Sequence, residues 1–126
     1  MLNKRKIVQW LNDSCANENK NLGDLNYIFC SDKYLLKVNK KYLDHNYLTD
    51  VITFDNTTPD GVSGDIFISY DRIKDNAKAF GQKTTDELHR VMIHGLLHLM
   101  GYSDKKADQQ KVMKSKEDFY LSLRAF

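Results

Sequence analysis

An α+β fold, a small mixed sheet of three to four strands packed with about five helices, is predicted by three features of the sequence. Segments of helical period are interleaved with short runs rich in β-branched and aromatic residues. Two of those runs are joined by a short, turn-rich connection that suits a hairpin. One helical segment is apolar around most of its circumference, so it belongs in the centre of the core rather than on its surface. The chain has 126 residues, enough for one hydrophobic core, and residues 1–126 read as a single domain.

Taken in order, Lys4 to Asn17 has Ile7, Val8, Leu11 and Cys15 at helical spacing, and the Asn/Lys/Gly cluster up to Gly23 ends it. Leu25–Cys30 is short, aromatic and β-branched, and predicts a strand. Ser31 suits the N-cap of a second helix reaching about Tyr42, with Tyr34, Leu35, Val38 and Tyr42 inward. After a polar loop, Leu43 to Thr49, the strands Asp50–Asp55 and Gly64–Ser69 form the hairpin pair. A third helix, Asp71–Phe80, takes Ser69 as its cap, buries Ile73, Ala77 and Phe80, and stops at Gly81.

The central helix starts at Thr84, where Thr84-x-x-Glu87 fits a capping box. Leu88, Met92, Ile93, Leu96, Leu97, Leu99 and Met100 cover its broad apolar side. Glu87, Arg90, His94, His98 and Gly101 make up the remaining stripe, which must face a cleft or a satisfied network. A last helix, about Ala107 to Arg124, is heavily charged and buries Val112, Met113, Phe119, Tyr120 and Leu123.

Composition excludes several classes. The net charge of +2 is no basic footprint of the kind that alone argues for nucleic acid. Two cysteines, Cys15 and Cys30, are too few for a disulfide framework or a thiolate zinc site. No apolar run approaches the roughly 18 residues of a membrane helix, and the basic start leads into no signal-peptide core. A reducing cytoplasm is the expected compartment.

The chemistry concentrates between Thr84 and Asp104. His94 and His98 lie four residues apart, one turn apart on the same helix face, a spacing at which two imidazoles can hold one metal ion. Gly101 offers a helix stop, letting the chain fold back and bring Asp104 up as a third ligand with a fourth position open. Each group also has a bland reading. The histidines fit a satisfied core network, Asp104 a helix N-cap, Arg90 an ion pair with Glu87, His89 the surface, Tyr102 the core or a lid, and His45 a polar loop. The zincin motif places a general-base glutamate beside its first histidine. Here that position is Gly95, which argues against a peptidase and for close approach of a neighbouring element.

The run His94-Gly95-Leu96-Leu97-His98-Leu99-Met100-Gly101-Tyr102 resembles the HGxLHLxGYDH signature of the YbeY family of rRNA maturation factors. Asn39-Lys40-Lys41-Tyr42 is similar to the family's NxxY block, Thr49 to Phe54 to its TDVLSF block, and Gly64-Asp65-Ile66 to its GDI block. Glu87-Leu88 matches the family's approach to the histidines. The resemblance spans roughly Leu25 to Glu117.

It implies a metal-dependent, single-strand-specific endoribonuclease acting in rRNA processing, including 16S 3′-end maturation, and in ribosome quality control. Its partners would be single-stranded rRNA and the ribosome or ribosomal proteins. His94, His98 and Asp104 would hold one divalent ion, most suitably Zn2+. Lys40, Lys41, His45, Asp50, Asp65 and Arg90 are candidates for contacting RNA or supporting the ligands. Three departures accompany it. Asp104 stands where the family usually has its third histidine, and Leu43 where it carries an arginine thought to help the RNA chemistry. Family members also begin with a strand before the first helix, so a four-stranded sheet would lack one strand here. Two alternatives stay open: a non-catalytic ribosome-assembly factor with a structural metal, and a metallohydrolase of another substrate.

Overall fold

The computed structural model describes residues 3–45 and 49–126. Its elements run α1 Lys4–Asn17, β1 Leu22–Cys30, α2 Asp32–Leu43, β2 Val51–Asp55, β3 Val62–Ser69, α3 Tyr70–Ala79, α4 Thr84–Leu99 and α5 Ala107–Ser122. The expected α+β architecture of five helices and a mixed three-stranded sheet is present among these residues. The loop expected at Leu43 to Thr49 lies partly outside them.

The most buried strand, β3, takes the middle of the sheet, in the order β1-β3-β2. It pairs parallel with β1, through Leu25↔Gly64 and Tyr27↔Ile66, and antiparallel with β2, through Val51↔Ile68 and Thr53↔Ile66. The hairpin read from the sequence is therefore the β2–β3 pair. The parallel pair needs a longer crossover, supplied by α2 and β2 together. Both faces of β3 are covered. Ile66 and Ile68 join α1, α3, α4 and α5 in the main core, while Phe67 packs with Ile52, Phe54 and the α2 residues Leu35 and Val38.

α4 is the central buried helix, as its composition requires, and Gly95 sets how closely it approaches β3. A Cβ at position 95 would sit 2.8 and 3.0 Å from Ile66 Cδ1 and Cγ2. Gly95→Val adds a branched side chain to this contact, and overpacking of this kind costs about 1–3 kcal/mol. Its urea midpoint is expected to fall at unchanged m-value; wild-type stability would show that the sheet has room to move away.

Several expectations are corrected. The capping box at Thr84 does not form: Lys83 holds the cap position with no side-chain bond, Thr84 is already helical, and Glu87 turns inward and is buried. Ser31 and Ser69 do cap, accepting from the N–H groups of Tyr34 and Arg72. Val8, Tyr34, Tyr42, Phe80, Val112, Phe119 and Leu123 are exposed instead of inward. α1, α2, α3 and α5 each dock along one narrow stripe, and these positions lie outside it. His89 is buried rather than superficial, set against the Trp10 and Phe126 rings, with Nδ1 accepting from Arg124 at 2.7 Å. Burial, then the Arg124 charge, lowers its pKa.

Candidate metal centre

The last two turns of α4 and the segment after them build the site. Gly101 takes φ +103°, a left-handed conformation open to glycine, and ends the helix so that the chain doubles back. Asp104 thereby reaches the two histidines. Its Oδ2 lies 3.3 Å from His94 Nε2 and 3.5 Å from His98 Nε2, and the two Nε2 atoms are 3.0 Å apart. Ligand atoms bound to a tetrahedral ion at about 2.0–2.1 Å stand roughly 3.3–3.4 Å from one another, so the triangle matches the base of such a site. Asp104 is not a helix cap, since α5 starts at Ala107 with Lys106 in the cap position.

The hydrogen bonds around the imidazoles assign their tautomers. His98 Nδ1 donates to the Tyr102 carbonyl at 2.9 Å, and His94 Nδ1 to Glu117 Oε2 at 2.6 Å. Both protons are thus committed outward, and both Nε2 lone pairs face each other and a carboxylate oxygen. Three acceptors at this range repel in the absence of a cation. The donor set therefore fits a divalent metal, and the outward bonds are those that hold metal-ligating histidines in place. Among the described residues, His94, His98 and Asp104 are the one group of histidine, cysteine and acidic side chains with such spacing.

Glu117 was not singled out by the sequence, and it is central here. Its buried carboxylate takes His94 Nδ1 on one oxygen and Arg90 Nη1, at 2.9 Å, on the other. Arg90 therefore pairs with Glu117 and Asp118 rather than Glu87. Burial opposes a charged His94, but the Glu117 bond and the charges of Glu117, Asp104 and Asp50 outweigh it and raise its pKa. A signal existed in the sequence: Met113, Glu117 and Tyr120, at i, i+4 and i+7, are the buried stripe of α5.

Two clefts meet at His94 and Asp104. One, of about 580 Å³, runs past Leu43, His45 and Asp50 to His98. The other, of about 410 Å³, is walled by Glu87, Arg90, Lys114 and Glu117. Burial raises the Asp50 and Glu87 carboxyls above their usual range. In Asp50 its own and the Val51 N–H oppose this, as does the His94 charge; in Glu87 the Asp50 charge adds to it. The remaining sequence candidates are not brought to the ligands. Lys40 and Lys41 are exposed on the last turn of α2, with Lys41 Nζ 5.2 Å from the Tyr42 ring centroid. Asp65 accepts from Asn26 Nδ2 at 3.1 Å, its β3 position alternating with those that face α4.

A family model described as Endoribonuclease YbeY matches residues 2–124. The chain belongs to the YbeY family. An Endoribonuclease YbeY of Cytophaga hutchinsonii is 53% identical over 98% of this chain and 87% of its own length. That of Bacteroides thetaiotaomicron is 47% identical over 98% of this chain and 90% of its own. The solution structure of TM1509 from Thermotoga maritima superposes with a TM-score of 0.70 at 28% identity, covering 94% of this chain and 78% of that one. The YbeY membership accounts for the order in which the Asn39, Thr49, Gly64 and His94 blocks occur. No helix among the described residues is long and apolar enough to cross a membrane.

Proposed function

We propose that this YbeY-family chain is a metal-dependent endoribonuclease that cleaves single-stranded RNA in rRNA processing, including the 16S 3′ end, and in ribosome quality control. Zn2+ is the ion and the cytoplasm the compartment; the ribosome or ribosomal proteins are the partners. Relatives that share about half of its residues are named endoribonucleases. The observation that carries the reading is the convergence of His94 Nε2, His98 Nε2 and Asp104 Oδ2 with both imidazole protons committed elsewhere.

A bound ion supplies Lewis acidity toward a phosphodiester and its attacking water. The chain's own groups do the rest. Glu117 and the Tyr102 carbonyl keep both rings oriented for binding. Lys114 and His45, on the walls of the two clefts, are placed to hold phosphate oxygens. Asp50 and Glu87 line the clefts, and burial raises both carboxyls above their usual range, which favours the protonated form that a proton donor needs. The test is cleavage of a single-stranded RNA by nuclease-free protein, lost with a chelator and regained with Zn2+. Leu43 on the cleft wall favours a second reading, a non-catalytic assembly factor with a structural metal. In that case chelation would lower the melting temperature of a protein that cuts nothing.

The aspartate ligand has its own consequence. It makes the ligand set one charge more negative than three histidines, which weakens the ion as a Lewis acid. Asp104→His is therefore expected to move the acid limb of the pH–activity profile to lower pH; superimposable profiles would remove this role for the charge.

A further inference from the structure

Tyr102 supports two of the three ligands at once. Its carbonyl fixes His98, and it lies two residues before Asp104 on the segment that brings that carboxylate in. Its hydroxyl is in turn held from outside the site, donating to Glu18 Oε1 at 2.5 Å. Glu18 sits at the C-terminal end of α1, in the opposite part of the sequence. Its second oxygen accepts from the Tyr120 hydroxyl and from Lys116 Nζ at 3.1 Å. Both of those residues are on α5, on either side of Glu117, the partner of His94. Lys116 also lies over the Tyr102 ring, 5.5 Å from its centroid.

From this geometry we infer that Glu18 is a remote positioning residue of the metal centre, a single carboxylate that clamps the Tyr102 segment to α5. The inference rests on the metal site proposed above. The side chain of Glu18 is only 10% exposed, and the bonds from Tyr102, Tyr120 and Lys116 outweigh burial and lower its pKa. A carboxylate taking three charge-assisted or hydroxyl donors in a shielded place is rigid, and it transmits that rigidity to what it holds. Without the clamp, Tyr102 keeps its ring but loses the bond that sets the height of its carbonyl and of Asp104. His98 and Asp104 then sample positions in which the triangle of donor atoms is not closed.

The experiment measures Zn2+ affinity by competition with a chromophoric chelator, alongside the urea stability of the metal-free protein. The proteins are wild type, Glu18→Gln, Tyr102→Phe, the double variant, and Ile73→Val as a core change on α3 away from the clamp. Replacing a group that touches a metal ligand directly costs about 10–100-fold in affinity. Glu18 acts one contact further out, so both single variants are expected to lose roughly three- to tenfold, and the double variant no more than either. Ile73→Val is expected to lose stability and keep its affinity. Affinities of both single variants equal to wild type would overturn the clamp, as would losses that merely track stability as far as Ile73→Val does. If Glu18→Gln does not fold, the affinity of Tyr102→Phe alone decides between these outcomes. Failure of the wild type itself to bind Zn2+ would overturn the clamp and the metal reading together, a result distinct from the other two.

Discussion

His98→Ala is expected to lower Zn2+ affinity by more than about a hundredfold and to reduce RNA cleavage in parallel. Loss of an outer partner of a ligand already costs about 10–100-fold, and removing a ligand itself must exceed that. Two donor atoms remain, His94 Nε2 and Asp104 Oδ2, 3.3 Å apart. The bond that ties α4 to the Tyr102 carbonyl goes with the ring. The prediction also has a thermodynamic form independent of catalysis. A ligand at a hundredfold its Kd adds about 2.7 kcal/mol to the stability of a protein that binds it only when folded. Wild type should show that gain in Zn2+ and His98→Ala should not. His45→Ala serves as the control, since His45 lines the cleft but is outside the donor triangle. Equal zinc stabilisation of His98→Ala and wild type would rule out the metal centre.

What the sequence made legible follows from how local each signal is. The i, i+4 pair His94 and His98 sits within one helix, so its face-sharing needs no tertiary information. Asp104 was legible because Gly101 marks where the helix must stop, and the return stroke is only three residues long. The α+β class and the β2–β3 hairpin were equally local. The four positive or acidic candidates in the middle of the chain divide differently. Asp50 lines the cleft because β2 begins beside α4, whereas Lys40, Lys41 and Asp65 point elsewhere. Helix phase and strand alternation decide between them. A shift of one residue on a strand reverses the face, and Asp65 falls on the side of β3 opposite Gly64 and Ile66, the positions that meet α4.

The partners of the ligands were illegible for another reason: they are far away along the chain. Glu117 lies 23 residues from His94, and Glu18 lies 84 from Tyr102. A glutamate among the charges of α5 resembles a solvated one until its phase with Met113 and Tyr120 is taken into account. The Thr84 box failed by one position. Lys83 took the cap, which turned Glu87 from a backbone acceptor into a buried cleft residue. Arg90 pairs with Glu117 and Asp118 on α5 instead of along its own helix.

Glu117 carries the second large effect. Its carboxylate bonds both His94 and Arg90, so substitutions separate the two roles. Glu117→Gln keeps the shape and one acceptor oxygen but removes the charge that favours the Nδ1–H tautomer. Metal affinity is expected to fall about 10–100-fold, the range found when such a partner is replaced. Stability should fall less than on loss of both acceptors, because one of the two donors keeps the remaining oxygen and Arg90 Nη2 retains Asp118. Glu117→Leu goes further: it leaves Arg90 Nη1 and His94 Nδ1 without an acceptor in a largely buried place, a cost of about 1–3 kcal/mol in urea unfolding. Loss of affinity in both variants, with the larger loss of stability in Glu117→Leu, assigns Glu117 to orienting His94. Wild-type affinity in both would reduce Glu117 to an anchor for Arg90, and the orientation of His94 would then have to come from packing alone. The structure argues against that outcome, because His94 Nδ1 meets the buried Glu117 carboxylate directly, at 2.6 Å from Oε2.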